Sequence, residues 1–115
     1  MKVTGGCHCG LVQFAAELPG DKVTVYDCDC SICAMSGHRH LFVPDTAFRL
    51  TDGKLETVTY RFGAGKARHI FCRQCGVKSF LRAGDAAGSI SLNYRCLDSG
   101  HGLDVTFEPL AARAA

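Results

Sequence analysis

Tryptophan is absent from this 115-residue chain, proline occurs only three times, and no block of five or more like charges appears. Lys and Arg are scattered and the formal net charge is only +2, so nucleic acid is not an expected partner. No apolar window approaches the ~20 residues of a membrane-spanning helix, and no membrane association is expected. Met1-Lys2-Val3-Thr4-Gly5-Gly6 leads straight into Cys7 without an apolar signal stretch, which makes the cytoplasm the expected location. Helical periodicity is nearly missing as well.

What the chain does have is cysteine, eight in 115 residues. In a reducing compartment, clustered thiols point to metal rather than to disulfides. The remaining composition, 47% hydrophobic and 21% charged, is ordinary for a globular protein. The length fits one domain, expected over residues 1–110, with 111–115 a loosely held C-terminal tail.

Period-2 alternation recurs along the chain. In Glu56 to Phe62, Val58, Tyr60 and Phe62 share one face; in Ser89 to Tyr94, Ile90, Leu92 and Tyr94 oppose Ser89, Ser91 and Asn93. Weaker strand signals cover Leu11–Glu17, Val23–Asp27, His40–Val43, Phe48–Thr51, Ala67–Phe71, Ser79–Arg82 and Asp104–Glu108. Turn residues separate them at Pro19-Gly20-Asp21, Pro44-Asp45, Asp52-Gly53, Gly63-Ala64-Gly65, Gly84-Asp85 and Ser99-Gly100. One short helix is expected at Ser31 to Met35, closed by Gly37. The pattern predicts an all-β fold of short antiparallel strands in coiled or partly open sheets, carrying zinc knuckles.

The cysteines form three groups: Cys7-His8-Cys9, Cys28-Asp29-Cys30-Ser31-Ile32-Cys33, and Cys72-Arg73-Gln74-Cys75-Gly76. Such spacing lets one turn aim two sulfurs at one ion, with Zn–S near ~2.3 Å. In the third group, backbone amides can also donate to the thiolates, and Gly76 supplies permissive backbone after the turn. Each pair needs a second pair, and Cys7 and Cys9 with Cys72 and Cys75 would make a closed structural site. The middle group offers three thiolates and an open position, the pattern of a catalytic zinc. Three thiolates on Zn²⁺ already carry about −1, so a further thiolate should bind weakly and exchange readily. The competing reading closes this site with Cys96 or a His as fourth ligand.

In this order, the motifs Gly5 to Gly10, Cys28 to Gly37 and Phe71 to Gly76 resemble the glutathione-dependent formaldehyde-activating enzyme family. Arg39 to Pro44, His69 to Phe80 and Cys96-Leu97-Asp98 are similar to its branch named for centromere protein V. The resemblance implies coiled β-sheets, a structural zinc on Cys7, Cys9, Cys72 and Cys75, and a catalytic zinc on Cys28, Cys30 and Cys33. Two Zn²⁺ sites follow, the second open to partial occupancy. The implied reaction condenses glutathione with formaldehyde, a carbon–sulfur lyase activity in the reverse sense. This chain has Asp29 where many members have His, and Ala34 where many have a basic residue. An Asp beside an anionic site disfavours another thiolate unless it points away or is paired.

On this reading a small thiol held as thiolate attacks an aldehyde carbonyl, and His38 and His40 are the candidates for handling the proton. The preferred reading of both is plainer: surface or strand histidines satisfied by backbone or water. Arg39, Lys78 and Arg95 could pair with substrate carboxylates, though each reads first as a solvated charge. His8 is expected to face solvent. Cys96 reads as a buried core thiol, or else as a sulfur near Cys30 or Cys33. Phe62, Phe71, Phe80 and Phe107 read as core. The alternative function is a non-catalytic zinc module binding protein or chromatin, or a thiol carrier; a homodimer stays open.

Overall fold

The computed structural model describes residues 1–62, 65–84 and 88–110. The expected tail at 111–115, and parts of the turns at Gly63-Ala64-Gly65 and Gly84-Asp85, lie outside the described residues.

Among the described residues, ten strands form two sheets. The smaller joins β1 (Lys2–Gly6), β2 (Gln13–Glu17) and β5 (Phe48–Asp52) in the order β1-β2-β5, all antiparallel. The larger takes β3 (Lys22–Asp27), β4 (Arg39–Pro44), β6 (Thr57–Tyr60), β7 (Arg68–Cys72), β8 (Phe80–Arg82), β9 (Ser89–Asn93) and β10 (Asp104–Pro109), ordered β10-β3-β4-β9-β8-β7-β6. One α-helix, α1 (Ser31–Ser36), ends on Gly37, whose φ of 70° is a left-handed cap and whose N–H donates to the Cys33 carbonyl at 3.0 Å. The all-β expectation therefore holds, and the predicted strands and helix recur with edges shifted by a residue or two.

Three features differ from expectation. First, β1 carried no strand signal because two of its five residues are glycine. Gly5 is needed there, since a Cβ would run into the Cys96 carbonyl. Second, β10 pairs parallel to β3, from Asp104 opposite Lys22 to Pro109 opposite Asp27. Alternation reveals which face a residue takes, not the direction of the neighbouring strand. Third, the clearest alternation belongs to β6, the outermost strand, where Val58 and Tyr60 remain exposed.

The core lies where the inner faces meet. Phe14, Phe80, Ile90, Leu92, Val12 and Val25 are essentially closed to solvent. Phe48 bridges the sheets, its ring 5.8 Å from Phe14 and 4.8 Å from Phe80. Burying a side chain such as Phe80 contributes about 1.5–3 kcal/mol. Among the described residues no helix is long and apolar enough to cross a membrane.

Candidate metal centres

The first centre is assembled from the ends of strands in different sheets. Past β1, a tight turn brings the chain back on itself: the Cys7 N–H donates to the Val12 carbonyl (2.9 Å) and the Gly10 N–H to the Cys7 carbonyl (3.2 Å). Gly6 must be glycine here, because a Cβ would collide with the Val12 carbonyl. Opposite, β7 ends at Cys72, and a knuckle follows in which Gly76, at φ 75°, donates to the Cys72 carbonyl (2.9 Å). Backbone N–H groups point at the sulfurs, from Val12 to Cys7 (3.2 Å) and from Gln74 to Cys72 (3.3 Å).

The four sulfurs of Cys7, Cys9, Cys72 and Cys75 all lie within 4.8 Å of one another. Cys9 is 3.7 Å from Cys7 and 3.6 Å from Cys72. A tetrahedron with ~2.3 Å arms has edges of about 3.8 Å, so the donor set fits a zinc-sized ion in size and in chemistry. Burial works against the Cys75 thiolate, but N–H donation from Val77 and Cys9 outweighs it and brings the thiol down to about 6. The Cys72 thiol is also lowered, chiefly by the Cys75 N–H. A backbone hydrogen bond from Leu11 lowers the Cys9 thiol, but burial and the Cys72, Cys7 and Cys75 thiols outweigh it and raise it to about 11. Cys96 approaches this centre rather than the second one. It is half-buried, its electrostatic neighbours are Cys7 and Cys75, and burial pushes its thiol up to about 11. Of the two readings of Cys96, the core thiol is met only in part, since the residue is half-buried, and the second, a sulfur near Cys30 or Cys33, gives way to neighbours at the first centre.

The second centre is local. Cys28 follows β3 and Cys30 is the N-cap of α1. Cys33 sits inside α1, buried, and the chain turns at Gly37 into β4, which carries His40. The donor atoms of Cys28, Cys33 and His40 lie within 4.8 Å of one another, whereas Cys30 falls outside that group. Cys30 is still close enough to Cys28 and Cys33 for their thiols to bear on its ionisation. Burial opposes its ionisation, yet the N–H groups of Cys33 and Ile32 and those two thiols hold it below the ordinary value. Burial raises the Cys33 thiol, reinforced by Cys30 and by the Cys28 charge. Asp29 and Ala34 are both exposed.

Behind these thiols stands a buried polar wall. His38 and His40 are 2% and 1% exposed; His40 is a strand histidine, in β4, but neither is a surface group and neither rests on backbone or water alone. Their partners are side chains: His38 Nε2 and His40 Nδ1 lie 3.0 and 2.7 Å from Ser91 Oγ, and His40 Nε2 lies 3.2 Å from Cys33 Sγ. Lys78, expected in solvent, is buried with its Nζ 3.1 Å from His69 Nδ1. Burial lowers its pKa, while the Cys33, Cys30 and Cys28 thiolates raise it. Asn93 ties the wall together, accepting from the Arg39 and Arg95 N–H groups and donating to the Lys78 carbonyl. Ser91 and His69 escaped the sequence analysis: a Ser on the polar face of an alternating strand reads as solvated, and only the pairing of β9 between β4 and β8 encloses it.

The remaining candidates are occupied elsewhere. Arg39 pairs with Asp27 at 2.7 Å and lies 4.1 Å over the Phe107 ring; Arg95 Nε donates to the Gly37 carbonyl at 3.1 Å. His8 faces solvent, as expected. Of the four phenylalanines read as core, Phe80 is buried and Phe71 half-buried, but Phe62 and Phe107 are exposed at the rims of the larger sheet.

Residues 2–112 match the family described as glutathione-dependent formaldehyde-activating enzyme. A crystal structure of a Rhodobacter sphaeroides protein is similar to this chain with a TM-score of 0.74 and 27% identity, over 91% of this chain and 99% of that one.

Proposed function

Because this chain belongs to the glutathione-dependent formaldehyde-activating enzyme family, we propose that it joins a small thiol such as glutathione to an aldehyde such as formaldehyde at Cys28, Cys30 and Cys33, while Cys7, Cys9, Cys72 and Cys75 cage a structural zinc. The reaction is a carbon–sulfur lyase step run toward synthesis. The thiol sulfur bonds to the carbonyl carbon, the carbonyl π pair moves to oxygen, and the thiol's proton ends on that oxygen. Nothing is oxidised or reduced.

The observation that carries this reading is the environment of the second cluster: three thiols at the start of a short helix, two of them half-exposed, backed by a buried lysine. A zinc ion bound there would supply the positive charge that keeps a small thiol deprotonated. Lys78 adds a second positive charge on the buried side and reduces the cost of bringing another anion to the thiolates. The exposed position of Asp29 keeps its charge in high dielectric, where it opposes that anion least. We assign the proton transfer to neither His38 nor His40, because both are enclosed, with His38 Nε2 and His40 Nδ1 against Ser91 Oγ and His40 Nε2 against Cys33 Sγ. The proton then travels through water at the rim beside Cys30. Reduced thiols at both centres call for a reducing compartment, and the cytoplasm is the proposed location.

The test is an NMR exchange measurement with glutathione and ¹³C-formaldehyde on zinc-loaded protein. Formation of S-hydroxymethylglutathione should be accelerated over buffer and return to the buffer rate in Cys30→Ser. A wild-type rate equal to buffer with both zincs bound overturns the assignment.

A further inference from the structure

We propose that His40 is itself a ligand of the second metal site, its Nε2 joining the sulfurs of Cys28 and Cys33, with Ser91 and His38 setting the tautomer of its ring. This rests on the metal reading above and extends it to a residue outside the cysteine motifs.

Three observations converge. The first is placement: His40 Nε2 is 3.2 Å from Cys33 Sγ, inside the 4.8 Å group that Cys30 does not enter. The second is rigidity. The ring stacks on Phe42 at 5.2 Å and 10°, touches the His38 ring at 4.6 Å, and is anchored through Nδ1 to Ser91 Oγ at 2.7 Å. A ligating histidine characteristically has its other nitrogen held in this way, which fixes the tautomer and aims the ring.

The third is the single hydroxyl hydrogen of Ser91, shared between two rings. With a metal on Nε2, His40 carries its hydrogen on Nδ1 and donates it to Ser91 Oγ. Ser91 Oγ keeps its own hydrogen free to donate to His38 Nε2, 3.0 Å away, and in that arrangement His38 carries its hydrogen on Nδ1. With the metal absent, His40 Nε2–H can face Cys33 and the whole order reverses. His38 Nδ1 is buried and has no hydrogen-bond partner among the described residues, so nothing competes with Ser91 in choosing the His38 tautomer.

The ligand set also changes the charge. Two thiolates and a neutral imidazole balance a dication, whereas three thiolates leave an excess of −1. One further thiolate on the His40 set therefore brings the charge only to −1, rather than to the −2 of a four-thiolate centre. Cys30, half-exposed and outside the group, is left at the open side of the site.

The experiment combines ring-selective ¹⁵N NMR with zinc competition against a chelating dye, using reduced full-length protein. On filling the second site, His40 should become the Nδ1–H tautomer with a metal-shifted Nε2, and His38 should switch to Nδ1–H in step. His40→Ala should abolish or strongly weaken the second zinc, and Ser91→Ala should weaken it about 10–100-fold, with the first zinc unchanged in both. Two zincs in the wild type with no change at the His40 ring, or equal second-site affinity in a folded His40→Ala variant, overturns the inference and leaves the thiol–aldehyde proposal standing. Only one zinc in the wild type overturns both. Should His40→Ala fail to fold, the wild-type ring spectra decide alone.

Discussion

The two cysteine clusters employ one kind of side chain to different ends. In the first, Cys9 meets Cys72 across 63 positions of sequence and joins the end of β1 to the end of β7, one from each sheet. In the second, all three cysteines come from six consecutive residues around the start of α1. A ligand set drawn from distant segments cannot form until the chain has folded, so its binding energy becomes folding energy. A local set is nearly complete in the unfolded chain and adds little to tertiary stability. Their surroundings diverge accordingly. Backbone amides satisfy the first cluster, whereas buried His38, His40, His69, Lys78 and Ser91 back the second, which suits chemistry better than support.

The largest test of this contrast exchanges one cysteine in each cluster. Cys72→Ser, or exhaustive chelation, should abolish cooperative unfolding, since structural zinc sites of this type are worth about 10–16 kcal/mol against a total stability of about 5–15. Cys30→Ser should keep a cooperative melt, with stability changed by less than about 1 kcal/mol, while losing thiol-dependent turnover. Circular dichroism melts of the pair decide it, and a collapse of both would show that the clusters do not divide the labour.

A smaller effect is expected at Lys78. Lys78→Met removes a buried charge but retains most of the volume, so stability should change little or rise. Thiol binding should weaken on the order of tenfold, the equivalent of about 1.4 kcal/mol, and appear in KM for the thiol rather than in kcat. An unchanged KM would remove Lys78 from the site's electrostatics.

The smallest concerns the scaffold beside Cys28. Hydrogen bonding to Arg39 holds the Asp27 carboxyl below its ordinary value. Because the folded pKa is the lower one, the stabilisation is present above about 3.9 and is lost as pH falls through the folded value. The pair is partly exposed, so Asp27→Asn should cost under about 1 kcal/mol near neutrality and flatten the acid limb of a Tm–pH profile. An acid limb identical to the wild type would show that the pair adds nothing to holding β3 against β4.

How far the sequence could be read depended on the range of each signal. The Gly37 cap, the two-residue precision of most strands and the pairing of Cys7 and Cys9 with Cys72 and Cys75 were legible, because turns, caps and knuckles are short-range geometry. The polar face of β9 was misleading: Ser91 and Asn93 alternate as solvated residues do, yet they are buried because β4 and β8 flank the strand. Lys78 and the two histidines were misjudged for the same reason, since ionisable residues are buried only where a neighbouring element supplies partners.

Composition and spacing alone determined that this would be a β protein whose thiols gather into clusters able to hold metal, because alternation and cysteine turns are written within a few residues. Only the tertiary structure decided that β10 runs parallel to β3 and that His40 rather than Cys96 stands against Cys33. It also set a buried lysine behind the second cluster. Those outcomes depend on which strands become neighbours, a choice made by packing the whole chain rather than by any one segment of it.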